Sequence, residues 1–235
     1  MSVTRNIQSS ALFSMPFLGG QPVNVSHGEP AVNAANLTKQ TMLGPPFKWN
    51  FNRSTFTLPV TPDSQDYFLT MTDFGFLEQA WLTDEKGNVK EIEVRLGLAA
   101  ESAIKRPSSV AAQIMETDGD VTFRLNTLPD QLYSLDCTYQ RAPILMSSLA
   151  NTWGPIPDNL GYIYDWGFLS FVSLLTKDAR FPIFGGRFTA HLLGAQEGLT
   201  ALQRNIFLGN FLEVVAQTGR SQMTTQQGVQ ARGQS

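Results

Sequence analysis

Between Phe47 and Tyr139 apolar residues recur at every second position, a period that fits strands and little else. Phe56, Leu58 and Val60 alternate with polar neighbours, and Tyr67, Leu69 and Met71 do so after the turn Thr61-Pro62-Asp63-Ser64. Ala80 and Leu82 lead through the turn-rich stretch 84–88 to Ile92, Val94 and Leu96, with Glu91, Glu93 and Arg95 facing water. Residues 110–116 and the set Val121, Phe123, Leu125 are joined at Asp118-Gly119, a strong hairpin dipeptide. Leu128-Pro129-Asp130 then turns the chain into Tyr133, Leu135, Cys137 and Tyr139. Six or seven strands with short links predict an antiparallel β-sandwich, or a strongly curved antiparallel sheet, over residues 47–141.

Helical signals flank this region. Residues 29–46 predict a short helix, with Pro30 suited to its first turn and Gly44-Pro45-Pro46 stopping it. Past Trp153, over residues 152–216, three helices are expected. Pro155, Pro157 and Asp158 open the first, which runs to about Thr176 and is apolar on most of its circumference. A break over 178–186 contains Pro182 and two glycines, and helices over 187–197 and 200–215 follow. Leu202, Ile206, Phe207 and Phe211 supply the last with apolar faces. Strands first and helices after is the α+β class, read as a single domain over residues 29–216. Residues 1–28 and 217–235, rich in Gln, Ser, Asn and Gly, read as extended N- and C-terminal arms. Neither arm has a sustained period, so both are expected to make most of their contacts with other chains.

Composition narrows the function. The net charge of −3 argues against a coat for nucleic acid, which needs a basic excess. Charged residues make up 16% of the chain, below the roughly 25% of an ordinary domain, and that depletion suits subunit contacts. A single cysteine, Cys137, rules out an intrachain disulfide and fits a reducing compartment. The longest apolar run, 166–175, is about half the ~20 residues that span a bilayer, so no membrane insertion is expected.

Chemistry-bearing residues are sparse. His27 and His191 have no Cys, Asp or Glu at metal-ligand spacing, and no metal or cofactor is expected. Cys137 shares the face of Leu135 and Tyr139, where a thiol behaves as a small hydrophobe. Gly19-Gly20 and Gly185-Gly186 lack a phosphate-loop context. Gly194 and Gly198 have the small-xxx-small spacing of close helix packing. Asp158, Asp165, Asp178 and Glu197 suit caps and solvated faces, and no pair of them is set for acid–base work. Arg220 and Arg232 belong to the C-terminal arm. No catalytic residue is assigned, and the chain reads as a non-enzyme.

The run Pro45-Pro46-Phe47-Lys48-Trp49-Asn50-Phe51-Asn52-Arg53, after a short helix and before a strand, resembles an element of tailed-bacteriophage neck and short-tail proteins. In these head-to-tail adaptor or tail-tubular subunits a helical segment meets a β-sandwich at a Trp–Asn-rich junction. The helix from Asp158 and the sequence Asp178-Ala179-Arg180-Phe181-Pro182 are similar to their C-terminal helices. The chain departs from that pattern in lacking a long helical region ahead of the junction. The resemblance implies a structural virion protein, assembled in the host cytoplasm. It would be a ring-forming connector whose partners are its own copies, portal and tail proteins, and DNA passing through a channel. A tail-tube, collar or capsid-decoration subunit is the alternative. A carbohydrate-binding β-sandwich using Trp81 or Trp153 as a platform is a third reading.

Overall fold

A computed structural model describes residues 2–18, 31–97, 101–114, 119–196 and 198–211. They form two compact units, Met1–Met42 with Leu145–Ser235, and Leu43–Ile144. The fold class is α+β, as the order of patterns predicts.

The sheet unit opens with a 3-10 turn, Asn50–Asn52, and carries β1 (Arg53–Val60), β2 (Asp66–Thr70), β3 (Phe74–Asp84), β4 (Val89–Arg95), β5 (Glu101–Ile104), β6 (Ser109–Ile114), β7 (Asp120–Leu125), β8 (Thr127–Leu128) and β9 (Tyr133–Arg141). Seven of these make one sheet in the order β1-β9-β3-β4-β6-β7-β2, and β5 and β8 pair separately. The expected sandwich is thus replaced by a strongly curved seven-stranded sheet, the alternative reading, and that sheet is mixed rather than wholly antiparallel. Its parallel step lies between β4 and β6, with Val94 opposite Val110. The sheet curls until it is nearly closed, so that its continuous apolar face covers itself. Phe56 on one edge strand lies 4.8 Å, ring to ring, from Phe123 beside the other edge. The enclosed core holds Leu58, Leu82, Val110, Phe123, Leu125 and Leu135. A bulge at Phe74–Phe76 sharpens the curl. Gly75 is needed there, since a Cβ would sit 2.7 Å from the Gln140 carbonyl oxygen.

The helical unit contains α1 (Ile7–Ser14), α2 (Ala31–Leu43), α3 (Gly161–Leu175), α4 (Phe181–Gly194) and α5, residues 201–211. A 3-10 turn, Asp158–Leu160, leads into α3. The extended N-terminal arm is corrected by the structure. Asn6 caps α1 by accepting from the Ser9 N–H at 3.0 Å, and Ile7, Ser10, Ala11 and Ser14 are buried within their own chain. Residues 19–28 of that arm and all of 217–235 lie outside the described residues. The expected break over 178–186 is also corrected. Pro182 occupies the first turn of α4, where its missing N–H costs nothing, and the two glycines lie inside the helix. At Gly167 a Cβ would meet Thr38 of α2 at 2.5 Å and Phe188 of α4 at 2.8 Å, so this glycine sets how closely three helices approach.

Candidate functional site

Among the described residues, each unit holds one buried carboxylate with a built surround. In the sheet unit the predicted junction motif supplies it. Trp49, 6% exposed, stacks obliquely on Phe51 at 5.3 Å, and its N–H donates to Gln140 Oε1 at 3.1 Å. Gln140 Nε2 donates to Glu78 Oε2 at 2.8 Å, while the Arg53 guanidinium donates to both Glu78 oxygens at 2.9 and 2.5 Å. Asn52 Nδ2 donates to the Arg141 carbonyl at 2.8 Å, and Arg141 Nη2 donates to the Phe51 carbonyl at 3.2 Å. Burial pushes the Glu78 carboxyl up, but Arg53, Gln140 and Lys48 together outweigh it and hold the group below its ordinary value. A carboxylate with its oxygens engaged in this way locks the first strand to β3 and β9. It is not free to move a proton.

In the helical unit the N-terminal segment wraps two carboxylates that the sequence treats as surface groups. Asp158 accepts from the Thr4 N–H at 3.1 and 3.0 Å, from the Thr4 hydroxyl at 2.7 Å and from the Arg5 N–H at 3.2 Å. Those bonds hold its carboxyl below the ordinary value. Asp165 is 3% exposed and accepts from Arg5 Nη2 at 2.6 Å and Ser10 Oγ at 2.7 Å. Burial dominates and raises its pKa despite Arg5. Ser10 Oγ also accepts from the indole N–H of Trp153 at 3.1 Å, and Trp153 stacks on Tyr164 at 4.5 Å. Burial drives the Tyr164 phenol well above its usual range.

The remaining candidates are structural or lie apart. Asp178 accepts from the Arg180 backbone and guanidinium at the α3–α4 turn. His191, exposed in the last turn of α4, meets Tyr162 edge-on at 5.3 Å. Cys137 is buried among the sheet core, and burial pushes its thiol up to about 12, so it is inert as a nucleophile. Gly194 and Gly198 face open space, which removes the close-packing reading. Trp153 is fully enclosed and cannot be a platform, while Trp81 is half-buried. His27, Gly19-Gly20, Glu197, Arg220 and Arg232 lie outside the described residues. Among the described residues no three His, Cys, Asp or Glu side chains cluster to hold a metal, and no helix is long and apolar enough to cross a membrane.

Sequence reasoning misses Lys39, 3% exposed on α2, whose ammonium burial lowers to about 8. Its signal was present: Ala31, Ala34, Ala35, Thr38 and Met42 mark a buried stripe at helical spacing, and Lys39 falls on it. Arg5 and Glu78 were missed because their partners lie far along the chain. The outer face of the sheet carries an open groove of about 370 Å³, lined by Phe68, Leu96, Gln113, Thr122 and the Asp66–Arg124 ion pair.

No protein-family profile matches the chain, and no curated protein does either.

Proposed function

We propose that this chain is a structural subunit of a tailed-bacteriophage virion, forming a ring-shaped head-to-tail connector between portal and tail. The observation that carries this reading is the Pro45–Arg53 run. It follows a short helix, and its Trp49 and Asn52 are tied into the sheet through Gln140 and Arg141. The residue types of this run and their order are those on which the resemblance rests. Low charge and a buried Glu78 carboxylate engaged by several donors add support, because such a group holds a shape. Its partners would be its own copies, portal and tail proteins, with DNA passing through the channel. A tail-tube, collar or decoration subunit would use the same construction at another position in the particle.

The test is co-expression with capsid, portal and tail components, followed by electron microscopy of the particles and a gel for the bound subunit. The expected result is a ring at the capsid vertex. Particles that assemble and carry tails without the subunit would overturn the reading.

A further inference from the structure

We propose that α5 of one copy seats in the outer groove of the sheet unit of the next copy, a head-to-tail contact that rests on the ring-subunit reading. The first observation is α5 itself. None of residues 201–211 is buried, although Leu202, Ile206, Phe207, Leu208 and Phe211 are among them. One side of this helix is used within the chain: Phe211 lies against Phe181 and Phe188 at ring distances of 6.1 and 6.5 Å. The other side is not. Leu202 and Ile206, one turn apart, are 68% and 54% exposed. Two aliphatic anchors at i and i+4 are the pattern of a helix that lies in a groove.

The second observation is a groove of matching character on the other unit. Phe68, Thr122 and Gln113 stand side by side across β2, β7 and β6, because register places Phe68 opposite Thr122 and Thr122 opposite Gln113. Phe68 is 67% exposed and Leu96 fully so, and they form apolar walls over a floor of Ala111 and Thr122. Arg124 and Asp66 neutralise each other at 2.6 and 2.9 Å, so the groove presents no isolated charge to an apolar visitor.

Charge chooses the pairing. The sheet unit has nine basic and fourteen acidic side chains, a formal −5, while the helical unit has eight basic and six acidic, a formal +2. Sheet against sheet or helix against helix sets like fields together. Helical unit against sheet unit sets opposite fields together and steers the encounter. Such a contact uses two different patches, which is the heterologous geometry that closes into rings.

The experiment uses the full chain, light scattering after size exclusion, and two surface variants, Leu202→Glu/Ile206→Glu and Phe68→Glu. All three positions are exposed, so melting curves should match the parent. The wild type should self-associate, and each variant should weaken this about 100-fold for the helix pair and about tenfold for Phe68. Raising salt from about 0.05 to 0.5 M should slow association of the wild type. An equimolar mixture of the two variants retains one intact contact and should stop at a heterodimer. Three results would overturn the proposal. A Phe68→Glu variant that associates normally means the helix pairs with itself. A mixture with no heterodimer removes the head-to-tail geometry. A wild type that stays monomeric near 100 µM means residues 212–235 of its own chain, or a different partner, cover the helix. None of these decides the connector reading, which particle incorporation tests separately.

Discussion

Glu78 in the sheet unit and Asp165 in the helical unit are closed off from water to a similar degree, at 8% and 3% exposure, yet their pKa values move in opposite directions. The difference lies in where the partners come from. Arg53, Gln140 and Lys48 reach Glu78 through strand register and the junction next to it, and they deliver enough donors to overcome burial. Asp165 depends on Arg5 and Ser10, both from a segment about 150 residues away, and there burial wins. The sheet unit is thus acidic with a well-compensated carboxylate. The helical unit is mildly basic with an under-compensated one.

The largest effect expected from breaking this comparison is deletion of residues 2–18. The segment buries Ile7 and Ala11 and covers Trp166 with Phe13 and Phe17, at ring distances of 5.5 and 5.4 Å. At about 1.5–3 kcal/mol per buried apolar side chain, the helical unit should lose about 5 kcal/mol while the sheet unit keeps its stability. Hydrogen exchange resolves the two. Unchanged protection in α3 would show that the segment is dispensable.

Next come two tryptophan truncations. Trp153→Ala should destabilise the helical unit, and Trp49→Ala the sheet unit, each by about 3–5 kcal/mol. Trp153 should fall at the upper end, because it is fully enclosed and its loss also removes the indole bond to Ser10, whereas Trp49 keeps 6% exposure. Denaturant midpoints followed in each unit measure both. A cost under about 1 kcal/mol at Trp49 would remove its role as a packing anchor.

Gly167→Ala is expected to cost about 1–3 kcal/mol by forcing Thr38 and Phe188 apart, a change that Gly186→Ala, which meets open space, should not reproduce.

The smallest effects are those of pH. Because the Glu78 carboxyl sits below its unfolded value of about 4.5, its contribution is complete above that pH and is lost as pH falls through the folded value. The Asp165 carboxyl sits above its unfolded value of about 3.8. Its contribution is complete below that pH and is lost as pH rises through the folded value. Acidification from neutral should therefore remove the Glu78 contribution from the sheet unit, whereas in the helical unit the gain at Asp165 opposes the losses at Asp158 and Asp178, whose carboxyls sit below their ordinary values. Glu78→Gln and Asp165→Asn should each flatten the response of one unit. Parallel pH profiles in the two units would contradict the opposite shifts.

Strand positions were legible because alternation is local: of the eleven side chains that the period marks from Phe56 to Tyr67 and from Val121 to Tyr139, ten are buried in the sheet core and Phe56 packs against it. A strongly curved sheet was one of two readings, but its near closure was not legible, since that depends on Phe56 meeting Phe123 across distant sequence. Neither was the parallel step, which period two cannot distinguish from an antiparallel one. In α1 the apolar residues Ile7, Ala11 and Leu12 are interrupted by serines, so no stripe announces a helix, although Asn6 three residues before Ser9 is a cap signal. Pro182 was read as a break where it marks a start. The junction motif was visible as a run of residue types. Its clamp on Glu78 was not, because Gln140 is 62 residues from the carboxylate it supports.

Asp158 holds Thr4 across 154 residues of chain, and Trp153 holds Ser10 across 143. A ribosome making this protein therefore delivers the two halves of the helical unit with the whole sheet unit between them. The contiguous strands have everything they need once residue 144 is out, and can close while α3 is still being made. Ile7 and Phe13 must wait, apolar and uncovered, until α3 emerges to receive them. During that interval the N-terminal segment is the part of the nascent chain most in need of a chaperone, and the slowest contacts of folding are those that finish last.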